Sequence, residues 1–97
     1  MYLMETDSDQ QIGITNSPKT RIAAHKRKGW RLIEILGPAD GTKVMNAESQ
    51  IKHWLKQNKL RIDGTHENWS KENLKVKSLR NIASIAGIDD WESIWLN

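Results

Sequence analysis

The sequence predicts a small α/β (α+β) domain in which a three-stranded antiparallel sheet is flanked by three helices. Short segments with alternating apolar residues, at the start of the chain and near residue 30, have the period of half-buried strands. Longer segments have apolar residues at helical spacing. Because 97 residues suffice for one core, we expect a single domain over residues 1–97, of which residues 88–97 form a short tryptophan-rich tail.

The first two strands form a predicted hairpin. Residues 1–5 begin with apolar side chains, the segment TDSDQ contains turn-forming residues, and QIGIT places Ile12 and Ile14 on one face. Gly13, within the second strand, indicates either a bulge or a place where another group approaches the backbone. The segment WRLIEIL at residues 30–36 is the predicted third strand, and it ends at GPADG.

Two helices are predicted on either side of the third strand. The first begins at Ser17 and Pro18 and ends at about residue 28, because a hydroxyl at the N-cap accepts from a free N–H and proline suits the first helical position. The second extends from residue 40 or 42 to about residue 57. Its apolar stripe consists of Val44, Ala47, Ile51, Trp54 and Leu55.

The remaining part of the chain is predicted as a polar loop followed by a third helix. The segment LRIDGTHENW is polar, with a brief extended piece near Leu60. Ser70 is the predicted N-cap of the third helix, and Trp69 and Leu74 would form a hydrophobic staple around it.

The composition excludes several kinds of site. The chain has no cysteine, which rules out disulfides, thiolate metal ligands and thiol nucleophiles. Its net charge of +3 and its pI near 9.3 are compatible with binding to a polyanion. No apolar run approaches the roughly 20 residues of a membrane span, and the acidic segment MYLMETDSD lacks the pattern of a signal peptide. We therefore expect a soluble cytoplasmic protein that does not associate with membranes.

Charged side chains lie beside the apolar faces of both predicted helices. Glu48 is about 40° from Val44 on a helical wheel, so its carboxylate needs a cation, a metal or an open cleft, or else reaches sideways into water. Arg21 and His25 share one edge of the face that Ile22 buries. An arginine there suits a phosphate, and a histidine there can bind phosphate or transfer a proton; a solvated helix edge is the alternative, above all for His25.

Two further segments carry residues of interest. HKRKGWR, at residues 25–31, is a basic patch with a tryptophan beside it, which is typical of a phosphate-contacting surface and also of a solvated helix end. HENW contains a histidine, a carboxylate and an amide, but its spacing matches no zinc pattern.

The order of these segments resembles that of the GIY-YIG nuclease superfamily. YL at Tyr2 takes the place of the first signature, QIGIT that of the second, and NSPKTR leads to Arg21. Glu48 lies in NAESQIKHWL, and GTHENW follows it. The similarity covers nearly the whole chain up to about Leu79. It implies a metal-dependent endonuclease that hydrolyses DNA phosphodiester bonds with Mg²⁺ or Mn²⁺.

The resemblance also implies a role for each matching residue. Tyr2 would help to activate the attacking water, and Arg21 would stabilise charge on the phosphate. His25 corresponds to a histidine one turn later in the same helix, and Glu48 would hold the single metal ion. Asn68 would support the site, with Asn73 as the alternative. Contacts to DNA are expected from Gln11, Gly13, Lys19, Lys26, Arg27, Lys28 and Arg31.

Two other functions are compatible with the sequence. Gln11 stands where the second signature has a tyrosine, and an amide cannot replace the acid–base chemistry of a phenol, so a nucleic-acid-binding module without catalysis is the second hypothesis. The third is a protein-interaction factor whose Trp91 and Trp95, four residues apart, dock on a partner or on a second copy as a homodimer. By analogy, a lone domain of this size is typical of phage or mobile-element proteins, which predicts a phage-encoded protein in a bacterial host.

Overall fold

The computed structural model describes residues 1–95 of the chain. It is an α+β fold with a four-stranded antiparallel sheet, which confirms the predicted fold class. The strands occur in the order β3-β1-β2-β4 across the sheet. The elements are β1 (Tyr2–Glu5), β2 (Asp9–Gly13), α1 (Pro18–Arg27), β3 (Arg31–Ile35), α2 (Gly41–Gln57), β4 (Asn68–Ser70), α3 (Leu79–Ile85) and α4 (Trp91–Trp95).

The predicted hairpin and the first two helices are confirmed, but the Ser17 hydroxyl makes no capping hydrogen bond at the start of α1. β1 and β2 pair with Tyr2 opposite Gly13, and the turn between them is closed by Thr6, whose hydroxyl accepts from the backbone N–H of Asp9 at 3.0 Å. α2 begins after Asp40, whose carboxylate accepts from the N–H of Thr42 at 2.9 Å. These two hydrogen bonds explain why the turn of the hairpin and the start of α2 lie where the sequence predicted.

The segment after α2 differs from the prediction in having a fourth strand. β4 pairs with β2 so that Trp69 lies opposite Gln10, and Arg61 makes one isolated bridge to Trp69. The sequence predicted a loop here because three residues are too few to reveal an alternating pattern. The strand is specified by a contact distant in sequence, since the Trp69 indole N–H donates to Gln10 Oε1 at 3.0 Å inside the core.

The prediction that a third helix begins at Ser70 is wrong. The Ser70 hydroxyl accepts from the N–H of Glu72 at 3.2 Å, but it caps only a single turn. The helix α3 begins after Ser78, whose hydroxyl accepts from the N–H of Asn81 at 3.0 Å. Val76 lies between the two, and its backbone bonds to Gln10 in the core hold the connecting segment out of a helix.

The sheet separates two apolar clusters. Because side chains alternate along a strand, Leu3 and Ile12 face the main core with α2, α3 and α4, whereas Tyr2 and Met4 face Ile22 of α1. The tail is part of the main core through α4. Trp91 is only 7% exposed, and its ring packs edge-on against that of Trp95, with the ring centroids 5.1 Å apart.

The burial of α4 bears on the partner role predicted for the tail. Trp91 packs inside the main core in this fold, and docking of the tail on a partner stays a prediction. Among residues 1–95 no helix is both long enough and apolar enough to cross a membrane.

Candidate functional site

The candidate site is built around the phenol of Tyr2. The Tyr2 hydroxyl lies 3.1 Å from Nε2 of His25 on α1, and the two ring centroids are 5.6 Å apart. Gly13 lies opposite Tyr2 in the adjacent strand, and the ring lies across it, where any side chain would overlap the phenol. The group that approaches the Gly13 backbone is therefore the Tyr2 ring. Gly13 is buried beneath this ring, which corrects the prediction that Gly13 contacts DNA.

Gln11 holds the other side of the histidine ring. Its side-chain nitrogen lies 3.4 Å from His25 Nδ1. A neutral imidazole has one donor nitrogen and one acceptor nitrogen. If the Gln11 amide donates to Nδ1, the ring proton is on Nε2 and points to the Tyr2 oxygen; if the amide oxygen accepts from Nδ1–H, the phenol donates to Nε2. In both cases Gln11, which is buried, determines whether Nε2 of His25 donates to the Tyr2 hydroxyl or accepts from it.

Three charged side chains from different elements act on the same phenol. Burial raises the pKa of Tyr2 above its usual value of 10.0, the guanidinium of Arg21 opposes this, and the carboxylates of Glu67 and Glu48 raise the pKa further. Tyr2 is therefore a protonated phenol at neutral pH. His25 bonds to the phenol directly, and the charges of Arg21 on the same helix and of Glu48 on α2 act on it.

Glu67 belongs to this group although the sequence did not identify it. Its charge acts on both Tyr2 and His25, and its backbone carbonyl accepts from the N–H of Ile12 at 3.2 Å. The available signal was the segment HENW, in which a role in the site was predicted for Asn68 but not for Glu67. Its position next to β2 depends on β4, which the sequence did not predict.

Glu48 already has a cationic partner. Its side chain is 13% exposed and lies 3.0 Å from Nζ of Lys52, one helical turn later. This ion pair satisfies the carboxylate within the apolar stripe. Lys52 is more exposed than Glu48, and ion pairs between partly exposed side chains are weak.

The site fits a divalent cation only in part. Among residues 1–95 no group of three or more His, Asp or Glu side chains could hold a metal ion. Mg²⁺ needs fewer protein ligands, because it keeps several waters and takes phosphate oxygens from a substrate. The donor chemistry of Glu48 therefore suits a cation that arrives with the substrate rather than one enclosed by protein.

The other predicted residues are divided between the site and the surface. Asn68 pairs with Gln11 across β2 and β4, which places both side chains on the same face of the sheet. Asn73 is exposed in the turn after β4. Arg31 bonds to Asp7 at 3.0 Å and to Glu5 at 3.5 Å, away from the site. Arg21 is itself exposed, and the other exposed cations on α1 and at its C-cap are Lys19, Lys26, Arg27 and Lys28.

Because of His25, the free energy of unfolding is expected to decrease as the pH falls. Burial lowers the pKa of His25 below 6.5, as do the charges of Arg21 and Lys28, while Glu67 opposes them. The unfolded chain then takes up the proton first. Stability is fully present above the unfolded-state pKa and is lost as the pH falls through the lower folded-state pKa.

Urea unfolding at pH intervals between roughly 7 and 5 measures this loss. We expect the free energy of unfolding of His25→Gln to decrease less steeply with acidification than that of wild type. His53→Gln, which changes an exposed histidine, should keep the wild-type slope. Equal slopes in wild type and His25→Gln would contradict the environment described for His25.

Comparisons of the chain with protein-family models, with curated proteins and with solved structures find no match. The site is therefore interpreted from its own geometry and charges.

Proposed function

We propose that this protein is an endonuclease that hydrolyses DNA phosphodiester bonds, as the resemblance to the GIY-YIG superfamily implies. The observation that carries the proposal is the convergence on one phenol of Arg21, His25 and Glu48, from two different helices. A permanent cation, a neutral base and a carboxylate around a hydroxyl are the groups that phosphodiester hydrolysis uses.

The proton of the attacking water has a path through these residues. With the Gln11 amide turned so that its oxygen, in place of its nitrogen, faces Nδ1, Nδ1 carries the ring proton and Nε2 can accept. The water then gives a proton to the Tyr2 hydroxyl oxygen while that oxygen passes its own proton to Nε2 of His25, and Nδ1–H donates to the Gln11 amide oxygen. The lowered pKa of His25 keeps Nε2 free to accept at pH 7. The raised pKa of Tyr2 means that the phenol relays a proton and does not persist as a phenolate. Gln11 thus has a function in place of the tyrosine of the second signature.

The remaining charges serve the phosphate. Arg21 would stabilise the negative charge that develops on the phosphoryl oxygens. Glu48 would hold Mg²⁺ or Mn²⁺, which when bound supplies a Lewis acid for the phosphate. The exposed cations of α1 are placed to contact the backbone of DNA on either side, and such contacts predict a strong dependence of binding on salt.

A nucleic-acid-binding module without catalysis is the second candidate. Two observations favour it: Tyr2 is only 3% exposed, and Glu48 is already paired with Lys52. Such a protein would bind DNA with the same salt dependence but leave it intact with either cation.

Substitution of Glu48 by glutamine tests the proposal. We expect Glu48→Gln to lower the rate of plasmid nicking by roughly 100-fold or more, because the amide keeps the shape of the side chain and removes its charge. Nicking of supercoiled DNA with Mg²⁺ or Mn²⁺ measures the rate, and circular dichroism checks the fold. Glu72→Gln changes an exposed carboxylate and should cut at the wild-type rate. Equal rates in Glu48→Gln and wild type would refute the assignment, and a wild type that binds DNA without cutting it would support the second candidate.

A further inference from the structure

A cavity of about 630 Å³ opens beside the candidate site. It lies at the end of the sheet where β1 begins and where β2 and β3 end. Its volume is within the range of about 300–1,000 Å³ that is usual for small-molecule pockets. The walls are mostly apolar and are formed by Ile14, Ile35, Leu36, Val44, Met45 and Trp95.

The cavity adjoins the candidate site at Tyr2. Tyr2 lines it directly. On α1, Pro18 lines the cavity and Arg21 follows three residues later; on α2, Met45 lines it and Glu48 follows three residues later. Side chains at this spacing are neighbours on a helix. A phosphate held between Arg21 and Tyr2 therefore has its attached nucleoside at the mouth of the cavity.

The lining matches the chemistry of a nucleobase. Ile35 and Met45 are 44% and 59% exposed, so the cavity presents two large apolar side chains to solvent. Such walls suit the faces of an aromatic ring, as does the indole of Trp95. Thr15 and Asn16 add polar groups to one side of the lining, and an amide can both donate to and accept from the edge of a base.

We propose that this cavity binds an unpaired nucleobase next to the scissile phosphate. A base stacked in a duplex cannot enter a pocket of this kind, so the nucleotide has to be single-stranded or extruded from the helix. The preferred substrate is then a single strand or a duplex with an extrahelical nucleotide. The inference rests on the proposed function, because the phosphate bound at the Tyr2 site is what brings the base to the cavity.

Cleavage rates test this preference. Three end-labelled DNA substrates share one sequence: a paired duplex, the same duplex with one extrahelical nucleotide, and the single strand. We expect wild type to cut beside the unpaired nucleotide about 10-fold faster than in the paired duplex. Met45→Ser and Ile35→Ser should each lower that ratio about 3-fold or more. Ile85→Ser changes an exposed apolar side chain of α3 outside the cavity and should retain the ratio.

A binding measurement separates this inference from the proposed function. Glu48→Gln protein without a divalent cation is mixed with single strands that carry 2-aminopurine at successive positions. We expect the fluorescence to change at one position and the change to weaken in the additional variant Met45→Ser. A clear fluorescence change with no cleavage by wild type would refute hydrolysis and retain the base site.

The opposite results overturn the inference. Equal cleavage of paired and extrahelical substrates, or a fluorescence signal that is absent or unaffected by Met45→Ser, would refute the base site while cleavage itself upholds the proposed function. Light scattering adds a third outcome: a mass of two chains that falls to one in Met45→Ser would show that a second copy covers the cavity, which also refutes base binding.

Discussion

Replacing Gly13 by alanine is expected to destabilise the protein by about 1–3 kcal/mol or more and to abolish the activity of the candidate site. The added Cβ would overlap Cζ and the hydroxyl oxygen of Tyr2 and would lie 2.8 Å from Cε2. Carbon atoms in contact are normally about 3.5–4.0 Å apart, so the ring has to move as a whole. It is packed against Met4 and Ile22, and any movement removes its hydroxyl from His25.

A double-mutant cycle with Tyr2→Leu isolates this clash. In the Tyr2→Leu background the overlapped ring is absent, so Gly13→Ala should cost little there, giving a coupling free energy of about 1–3 kcal/mol. Gly41→Ala is the matched control: its Cβ would meet no atom within 4 Å, and alanine is the better helix former. Urea unfolding measures all the variants. Additive effects of Gly13→Ala and Tyr2→Leu would contradict the packing of the ring on Gly13.

Replacing Gln10 by leucine is expected to lower the free energy of unfolding by about 3–9 kcal/mol. Gln10 is fully buried. Its side-chain oxygen accepts from the Trp69 indole at 3.0 Å and from the N–H of Val76 at 2.8 Å, and its nitrogen donates to the Val76 carbonyl at 2.7 Å. Leucine would leave three buried polar groups without partners, and each costs about 1–3 kcal/mol. That sum is a large part of the roughly 5–15 kcal/mol by which a domain is stable.

Thermal and urea unfolding measure the effect of Gln10→Leu. Gln57→Leu makes the same chemical change at an exposed position of α2 and should alter stability by no more than about 0.5 kcal/mol. Because Gln10 connects β2 to β4, loss of its bonds should also release Trp69, which is expected to shift the tryptophan emission toward the red. A Gln10→Leu protein with the wild-type midpoint would contradict this network.

The parts of the fold that the sequence predicted are those specified by nearby residues. The hairpin, α1, β3 and α2 each have their own periodicity and end signals, such as Asp40 before α2 and Gly29 after α1. β4 and the start of α3 depend on Gln10, whose partners are 59 and 66 residues away in the chain. No local pattern encodes such a contact. Ser70 had the correct chemistry for a helix N-cap, but tertiary bonds to Val76 determined the backbone that follows.

The same distinction applies to the candidate site. Helical geometry alone placed Arg21 and His25 on one edge and Glu48 beside an apolar stripe. In the structure His25 bonds to Tyr2, and the charges of Arg21 and Glu48 act on the same phenol. Glu67 was missed because its position follows from β4. For Gln11 the sequence predicted a lost tyrosine and a contact to DNA. Its bond to His25 was not predicted, because it becomes apparent only when β2 and α1 pack together.

Gly13 has a further consequence for the alignment of β2 with β1. Gln10 and Gln11 are chemically identical neighbours, so a slip of the strand by one position would still place an amide at one of their two positions, either in the core or beside His25. Such a slip would, however, turn a branched side chain of Ile12 or Ile14 toward the Tyr2 ring. Because Gly13 has no side chain, only the alignment that places it opposite Tyr2 avoids a clash with the ring.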